Sequence, residues 1–332
     1  MLYLVTGVAG FIGSQTAMSL LARGHQIIGV DNLNDYYSVA LKKRRLEALV
    51  AKPGFKFVDL DIANHEALLA LAERPLIDRV IHLAAQAGVR YSIEKPFAYA
   101  SSNLTGHLSV LEFCRHAERK PLLAYASSSS VYGEGLEAPF SEDAMVDKPV
   151  SLYAATKRAD ELMSLTYAKL YGLQQIAMRF FTVFGPWGRP DMAYWSFTDR
   201  ILRGQPIRVF NQGNMRRDFT YIDDVVQGVT AIAEQVPNLS GLDRPHRIYN
   251  IGNNKPVRLL DFIRYIEDAV GQTAKLIMEP MQPGDVPDTC ADISRMKADY
   301  GYTPQTSLAD GIGIFVEWFK QQGPDYFKAG EK

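Results

Sequence analysis

A short apolar run, Leu2-Tyr3-Leu4-Val5-Thr6, passes directly into Gly7-Val8-Ala9-Gly10-Phe11-Ile12-Gly13, and a helical pattern follows over residues 11–23. Little else in the chain restricts its folding so much. A buried strand has to turn sharply here. The glycines let backbone N–H groups face a pyrophosphate and let the next helix pack close to the sheet. The start of that helix then favours negative charge. The spacing is G-x-x-G-x-x-G rather than the commoner G-x-G-x-x-G, and a glycine triplet alone is weak evidence. Its place between a strand and a helix carries the argument.

The same alternation recurs downstream. Apolar runs at 26–30, 55–58, 79–83, 122–125 and 175–179 are interspersed with helical patterns at 65–73, 99–117 and Leu152–Tyr171. Runs such as Tyr3-Leu4-Val5 and Ile27-Ile28-Gly29-Val30 suit a parallel sheet covered on both faces. The expected class is α/β, a doubly wound parallel Rossmann-type sheet with a smaller, less regular C-terminal substrate lobe. A chain of 332 residues exceeds what one core usually organises. Gly, Pro and aromatic residues crowd 184–194, which puts the expected boundary near residue 182. Residues 1–182 then form the dinucleotide domain and 183–332 the substrate domain, with about 219–255 expected to return to the first sheet.

Hydrophobic residues make up 47% of the chain and charged residues 22%, with a formal net charge of -1. That balance gives no electrostatic reason to expect nucleic acid or an anionic membrane as partner. Cys114 and Cys290 are too few for a disulfide framework and have no metal-ligand spacing, so no metal is expected and a cytoplasmic setting fits best. The opening residues 1–13 lack a basic leader and are broken by three glycines, which argues against a signal peptide or spanning segment.

Eighteen residues past Gly13, at the end of the second apolar run, stands Asp31. A carboxylate there can accept both ribose hydroxyls of adenosine and would repel a 2'-phosphate, so NAD is expected over NADP. The alternative is a tight turn with Asp31 capping a loop. Asp61-Ile62, after the third run, is placed to flank the adenine. Tyr153 and Lys157 lie four apart in a helical pattern, so both face the same side. A free phenol, with a pKa of about 10, is a poor base at neutral pH, and a nearby ammonium stabilises its phenolate. Ala126-Ser127-Ser128-Ser129-Ser130-Val131-Tyr132-Gly133 offers hydroxyls where open α/β folds bind ligands. Taken singly, Tyr-x-x-x-Lys is as well explained by chance on a solvated helix; the cofactor turn makes that reading weak.

Together these motifs resemble the extended short-chain dehydrogenase/reductase family over nearly the whole chain, and within it the UDP-glucuronate 4-epimerases. The resemblance implies Tyr153 as catalytic base, Lys157 as its electrostatic partner and ribose ligand, and Ser128 as the hydroxyl beside Tyr153. It implies cofactor and active-site linings from Asn103, His82-Leu83-Ala84-Ala85 and Arg179-Phe180-Phe181-Thr182, with Gly7, Gly10, Phe11, Ile12, Gly13, Asp31 and Asn32 at the dinucleotide. Three segments carry the likeness to the uronate enzymes: Asn32 to Tyr37, Gln86-Ala87-Gly88-Val89-Arg90, and Thr182 to Ala193.

Related 4,6-dehydratases have an Asp-Glu pair where this chain has Ser129-Ser130, and related uronate decarboxylases have Glu at the second position. Loss of water needs an acid and a base, and serine serves poorly as either. Reversible inversion at C4 of a UDP-sugar is therefore expected. A 4-keto uronate loses carbon dioxide readily, so its carboxylate has to be held, with Ser129, Ser130 and Thr182 as candidate donors and Arg189 as a candidate cation. A loop salt bridge is the equal alternative for Arg189. Arg217 resembles the family's diphosphate ligand, and Val209, Phe210 and Asn211 are expected at the uracil. Gln282 stands where galactose-type 4-epimerases have Arg. The helical patterns at 99–117 and Leu152–Tyr171 resemble the family's dimer surface, so a homodimer is expected. Three alternatives stay open: a 4-epimerase of UDP-glucose or UDP-N-acetylglucosamine, a non-catalytic NAD sensor, and a net alcohol dehydrogenase.

Overall fold

The computed structural model of this protein describes residues 1–71, 74–235, 239, 244–282 and 284–322. Among these, seven strands form one parallel sheet: β1 (Leu2–Thr6), β2 (Gln26–Asp31), β3 (Phe55–Asp59), β4 (Arg79–His82), β5 (Leu122–Ser128), β6 (Gln175–Phe180) and, much later in the chain, a strand at His246–Ile251. Between them in sequence lie the short strands β7 (Thr182–Phe184), β8 (Ile207–Val209) and β9 (Arg216–Tyr221), so His246–Ile251 is β10. The last two strands are β11 (Pro256–Arg258) and β12 (Leu276–Met278). The order across the main sheet is β10-β6-β5-β4-β1-β2-β3. From β1 the chain first winds outward through β2 and β3, then crosses back to β4 on the other side. This reversal opens a crevice beyond the carboxyl ends of β1 and β4, where such sheets bind ligands.

Alternation along each strand explains the apolar runs. Tyr3, Val5, Ile27 and Ile81 enter one core, whereas Leu4, Ile28, Val30 and Val80 enter the other, so both faces are dry. Full burial of each such side chain contributes about 1.5–3 kcal/mol. The longer helices are α1 (Phe11–Ala22), α2 (Val39–Val50), α3 (Gly106–Arg115), α4 (Leu152–Tyr171), α5 (Ala193–Leu202), α6 (Ile222–Glu234), α7 (Leu259–Val270) and α8 (Leu308–Gln322). Ser151 caps α4 by accepting from the Ala154 N–H at 3.1 Å, and Gly172, left-handed at φ +65°, ends it. Away from the main sheet, β11, β9 and β7 form a three-stranded sheet, and β12 pairs with β8.

Two elements differ from the sequence reading. The expected continuous helix over 99–117 is interrupted: a turn at Pro96–Tyr99 runs into a π-helical stretch, Ala100–Thr105, before α3 begins. The wider turn brings Asn103 inward, where it is 1% exposed. Helix α2 was not expected at all. Its Ser38 cap accepts from the Leu41 N–H at 3.3 Å, and Leu41, Leu46 and Leu49 are its buried apolar side chains. Part of the sequence reading, residues 72–73, 236–238, 240–243, 283 and 323–332, lies outside the described residues.

Candidate active site

A cavity of about 610 Å³ follows the crevice, within the size range of small-molecule sites. At one end lies the glycine turn. Gly7 has φ +70°, and a Cβ there would stand 2.6 Å from the Ala84 nitrogen. A Cβ on Gly13 would stand 2.1 Å from the Gly7 carbonyl oxygen, so the start of α1 lies directly against the turn. Asp31, at the tip of β2, accepts from the backbone N–H groups of Ala9 (3.0 Å) and Leu33 (2.9 Å). Burial pushes its carboxyl up, against the pull of those N–H groups, Lys42 and Arg45. Gly7, Gly10, Phe11, Ile12, Gly13, Asp31, Asn32, Ile62, Leu83, Ala84 and Ala85 all line the cavity. Backbone space that only glycine leaves, a carboxylate at the end of the second strand and flanking aliphatic side chains suit the phosphates, ribose and adenine of NAD.

At the sheet's centre, Tyr153, Lys157 and Ser128 line the same cavity. Lys157, 2% exposed, donates to the Ala126 carbonyl oxygen at 3.0 Å and to Asp160 Oδ2 at 3.1 Å. The Tyr153 ring meets Tyr99 edge-on, with centroids 6.1 Å apart. Ser128 Oγ donates to Ser130 Oγ at 3.1 Å and accepts from the Ser130 N–H at 3.2 Å. Its neighbour Ser127 also lines the cavity but donates at 2.7 Å to Glu161, which clamps Arg179 with bonds of 2.8 and 2.9 Å.

Arg90, Ser129, Ser130, Thr182, Arg189 and Gln282 complete the lining on the far side. Arg189 is already paired: its Nε and Nη2 reach Asp191 at 3.0 and 2.5 Å, and the Tyr36 hydroxyl donates to the same carboxylate at 3.1 Å. Burial opposes ionisation of Asp191, yet Arg189 and Tyr36 hold its carboxyl below the usual range. Arg217 faces an adjoining recess of about 130 Å³ shared with Ser129, Ser130 and Thr182, and bonds Asp285 at 2.7 Å.

Several expected residues are not brought to the cavity wall. Asn103 is absent from the lining, because its amide is committed to Gln86 N (2.8 Å), Gln86 O (3.2 Å) and Thr156 Oγ1 (2.9 Å). Asp61 binds the Ala63 N–H and the Asn32 side chain instead. Val209, Phe210 and Asn211 do not line it, although the Arg90 guanidinium sits 5.1 Å from the Phe210 ring centroid. His82 and Arg179, expected in the lining, point inward: His82 Nδ1 bonds Thr6 Oγ1 at 2.7 Å, and Arg179 meets Glu161 of α4. Strand alternation is the reason for both, since neighbouring side chains leave opposite faces of the sheet.

The sequence reading overlooked Lys42 and Arg45 of α2. Lys42 lines the cavity, donates to Asn34 O and Oδ1 at 2.6 and 2.8 Å, and is pushed down to about 8 by burial, with Asp31 opposing. Arg45, 3% exposed, donates to Ala9 O (3.0 Å), the Tyr37 hydroxyl (2.8 Å), Trp187 O (3.0 and 2.5 Å) and Gly188 O (2.7 Å). It therefore ties the glycine turn to the 182–193 segment. The Ser38 cap and the leucine spacing of 39–50 were the available signals.

Residues 3–252 match the signature described as the NAD dependent epimerase/dehydratase family. Protein CapI of Staphylococcus aureus is 47% identical, covering 95% of this chain and 97% of its own length. UDP-glucuronate 4-epimerase 2 of Arabidopsis thaliana is 44% identical over 99% of this chain and 77% of its own. The crystal structure of UDP-glucuronic acid 4-epimerase from Bacillus cereus, in complex with UDP-glucuronic acid and NAD, superposes with a TM-score of 0.90 at 35% identity, covering 97% of this chain and all of that one. On the strength of that match and of a glycine turn, a Tyr153-Lys157 helix and a crevice that share one cavity, the chain belongs to the NAD dependent epimerase/dehydratase family.

Proposed function

We propose that this protein interconverts UDP-glucuronate and UDP-galacturonate, using NAD. Its relatives and the Bacillus cereus structure support the substrate, and one feature of the site carries the choice of reaction. Beside Tyr153, Lys157 and Ser128 stand the hydroxyl side chains Ser129, Ser130 and Thr182. The carboxylates among the described lining residues are already engaged: Asp31 by the Ala9 and Leu33 N–H groups, Asp191 by Arg189 and Asp285 by Arg217. Elimination of water would require an ionisable pair at the sugar.

The glycine turn, Asp31 and Lys157 would hold NAD, which when bound would supply the reversible oxidation at C4. Tyr153 takes the C4 hydroxyl proton, with the Lys157 ammonium favouring the phenolate and Ser128 orienting the alcohol. The same phenol returns the proton after the 4-keto sugar presents its other face. Ser129, Ser130 and Thr182 hold the uronate carboxylate by hydrogen bonds and so disfavour decarboxylation. Arg217 serves the diphosphate. Asn103 acts at the cofactor through the Gln86 segment that it fastens, and Phe210 acts at the uracil side through Arg90.

Residues 1–182 are assigned to NAD and 183–332 to the nucleotide sugar. Phe97, Leu108, Leu162 and Leu170 are exposed on and beside α3 and α4, which supports a homodimer through these helices. Among the described residues no helix is long and apolar enough to cross a membrane, and the buried free thiols Cys114 and Cys290 suit the reducing cytoplasm. Incubation with UDP-glucuronate, followed by proton NMR, is expected to give a mixture with UDP-galacturonate. UDP-xylose, a 4-keto-6-deoxy sugar, or a clear preference for UDP-glucose or UDP-N-acetylglucosamine would overturn the assignment.

A further inference from the structure

We propose that Asp160 is a positioning residue for this reaction: its buried carboxylate holds Lys157 in place as an ammonium with an N–H left for the cofactor. The proposal rests on the NAD-dependent reading of the site. Asp160 is fully buried in the middle of α4, one turn from Lys157, at a place where aspartate is a poor helix former. Its Oδ2 accepts from Lys157 Nζ at 3.1 Å, whereas its Oδ1 is buried without a hydrogen-bond partner. Most buried carboxylate oxygens have a hydrogen-bond partner, so the commitment of Asp160 to Lys157 alone calls for a reason. Among the described residues its side-chain hydrogen-bond partner is the lysine beside the catalytic tyrosine.

An ammonium has three N–H groups. Ala126 O and Asp160 Oδ2 take two, and the third is left for the cavity that Lys157 lines. A buried cation is costly unless an opposite charge lies beside it, and Asp160 Oδ2 lies 3.1 Å from the Lys157 ammonium. Among the described residues the other ionisable neighbours are committed elsewhere or held neutral. Glu161, next on the helix, is committed to Arg179, Arg158 and Ser127. His82 of β4 and His107 of α3, which stack at 5.3 Å, are both held neutral by burial, and burial also keeps the Tyr125 phenol of β5 protonated. Burial pushes the Asp160 carboxyl up to about 6, against the pull of Lys157, so it is charged at neutral and alkaline pH.

The test compares the full-length wild-type protein with D160N, D160E and D160S. NAD affinity is measured by calorimetry between about pH 6.5 and about pH 9. D160N is expected to bind NAD like the wild type at the acid end and about tenfold more weakly at the alkaline end. D160E, which keeps the charge, is expected to follow the wild-type pH dependence. With UDP-glucuronate, the alkaline limb of kcat in D160N is expected about one pH unit lower, with KM little changed. Should D160N fail to fold, D160S supplies the neutral side chain. Neutral variants whose NAD affinity and kcat keep the wild-type pH dependence, or a D160E whose alkaline limb moves like theirs, would overturn the proposal. NAD binding requires no sugar, so a wild-type protein that binds NAD but leaves UDP-glucuronate unchanged counts against the substrate assignment alone.

Discussion

At the scale of single residues, the Tyr153 phenol, the Lys157 ammonium and the hydroxyls around them have separable effects. Tyr153→Phe removes the proposed proton acceptor while keeping the ring against Tyr99. Turnover should fall about 10²–10⁴-fold, with NAD still bound, as checked by product NMR and calorimetry. His82 illustrates a different consequence of burial. It is 2% exposed, and burial, aided by the Lys157 charge, pushes its imidazole down to about 3 from 6.5. With the folded value depressed, the stability tied to a neutral His82 is present above pH 6.5 and is lost as pH falls towards 3. Between pH 7 and pH 5 the wild type should lose about 2 kcal/mol that a His82→Asn variant does not. Urea unfolding of both proteins at the two pH values measures this. An unchanged gap between them would mean that His82 is not buried neutral.

Among the elements, β1, the glycine turn and α1 were readable because their residues interact locally: an apolar strand, a turn that needs left-handed backbone at Gly7, and a helix packed on that turn. Tyr153 and Lys157 were readable for the same reason, since four-residue spacing on a helix fixes a shared face. Long-range pairings were not. Arg189 had two equal readings until Asp191 and Tyr36 were placed beside it, and Asn103 reaches Gln86 and Thr156 only because a π-helical stretch turns it inward. Lys42 and Arg45 resemble surface cations in a basic run, and nothing local reveals that backbone carbonyls from 187–188 close over Arg45. Arg45→Met should therefore release the 182–193 segment from α2. Thermal unfolding should show a loss of about 3 kcal/mol, because several charge-assisted bonds are broken in a buried place. Substrate KM should rise more than kcat falls. A kinetically silent variant would separate this clamp from the sugar site.

At the scale of the molecule, the reversal at β1 and β4 decides where chemistry takes place. The glycine turn, the Tyr153-Lys157 helix and the 182–193 segment come from distant parts of the chain and meet only because the strands' carboxyl ends share one edge. Sequence alternation was enough to foresee a parallel sheet with both faces covered. It could not foresee which side chains at that edge turn towards the crevice, as His82 and Arg179 demonstrate. The proposed homodimer adds a test at this scale. Phe97 is 86% exposed, and Phe97→Asp should place a charge in the interface and shift the protein towards monomer by light scattering. An unaltered mass would direct the search to another face.

In the proposed reaction the C4 hydrogen leaves and returns within one active site, with Tyr153 moving only the hydroxyl proton. UDP-glucuronate labelled with deuterium at C4 tests it most directly. The predicted result is UDP-galacturonate that retains the label at C4, with no net NADH formed. Loss of the label to water, or steady accumulation of NADH, would contradict it.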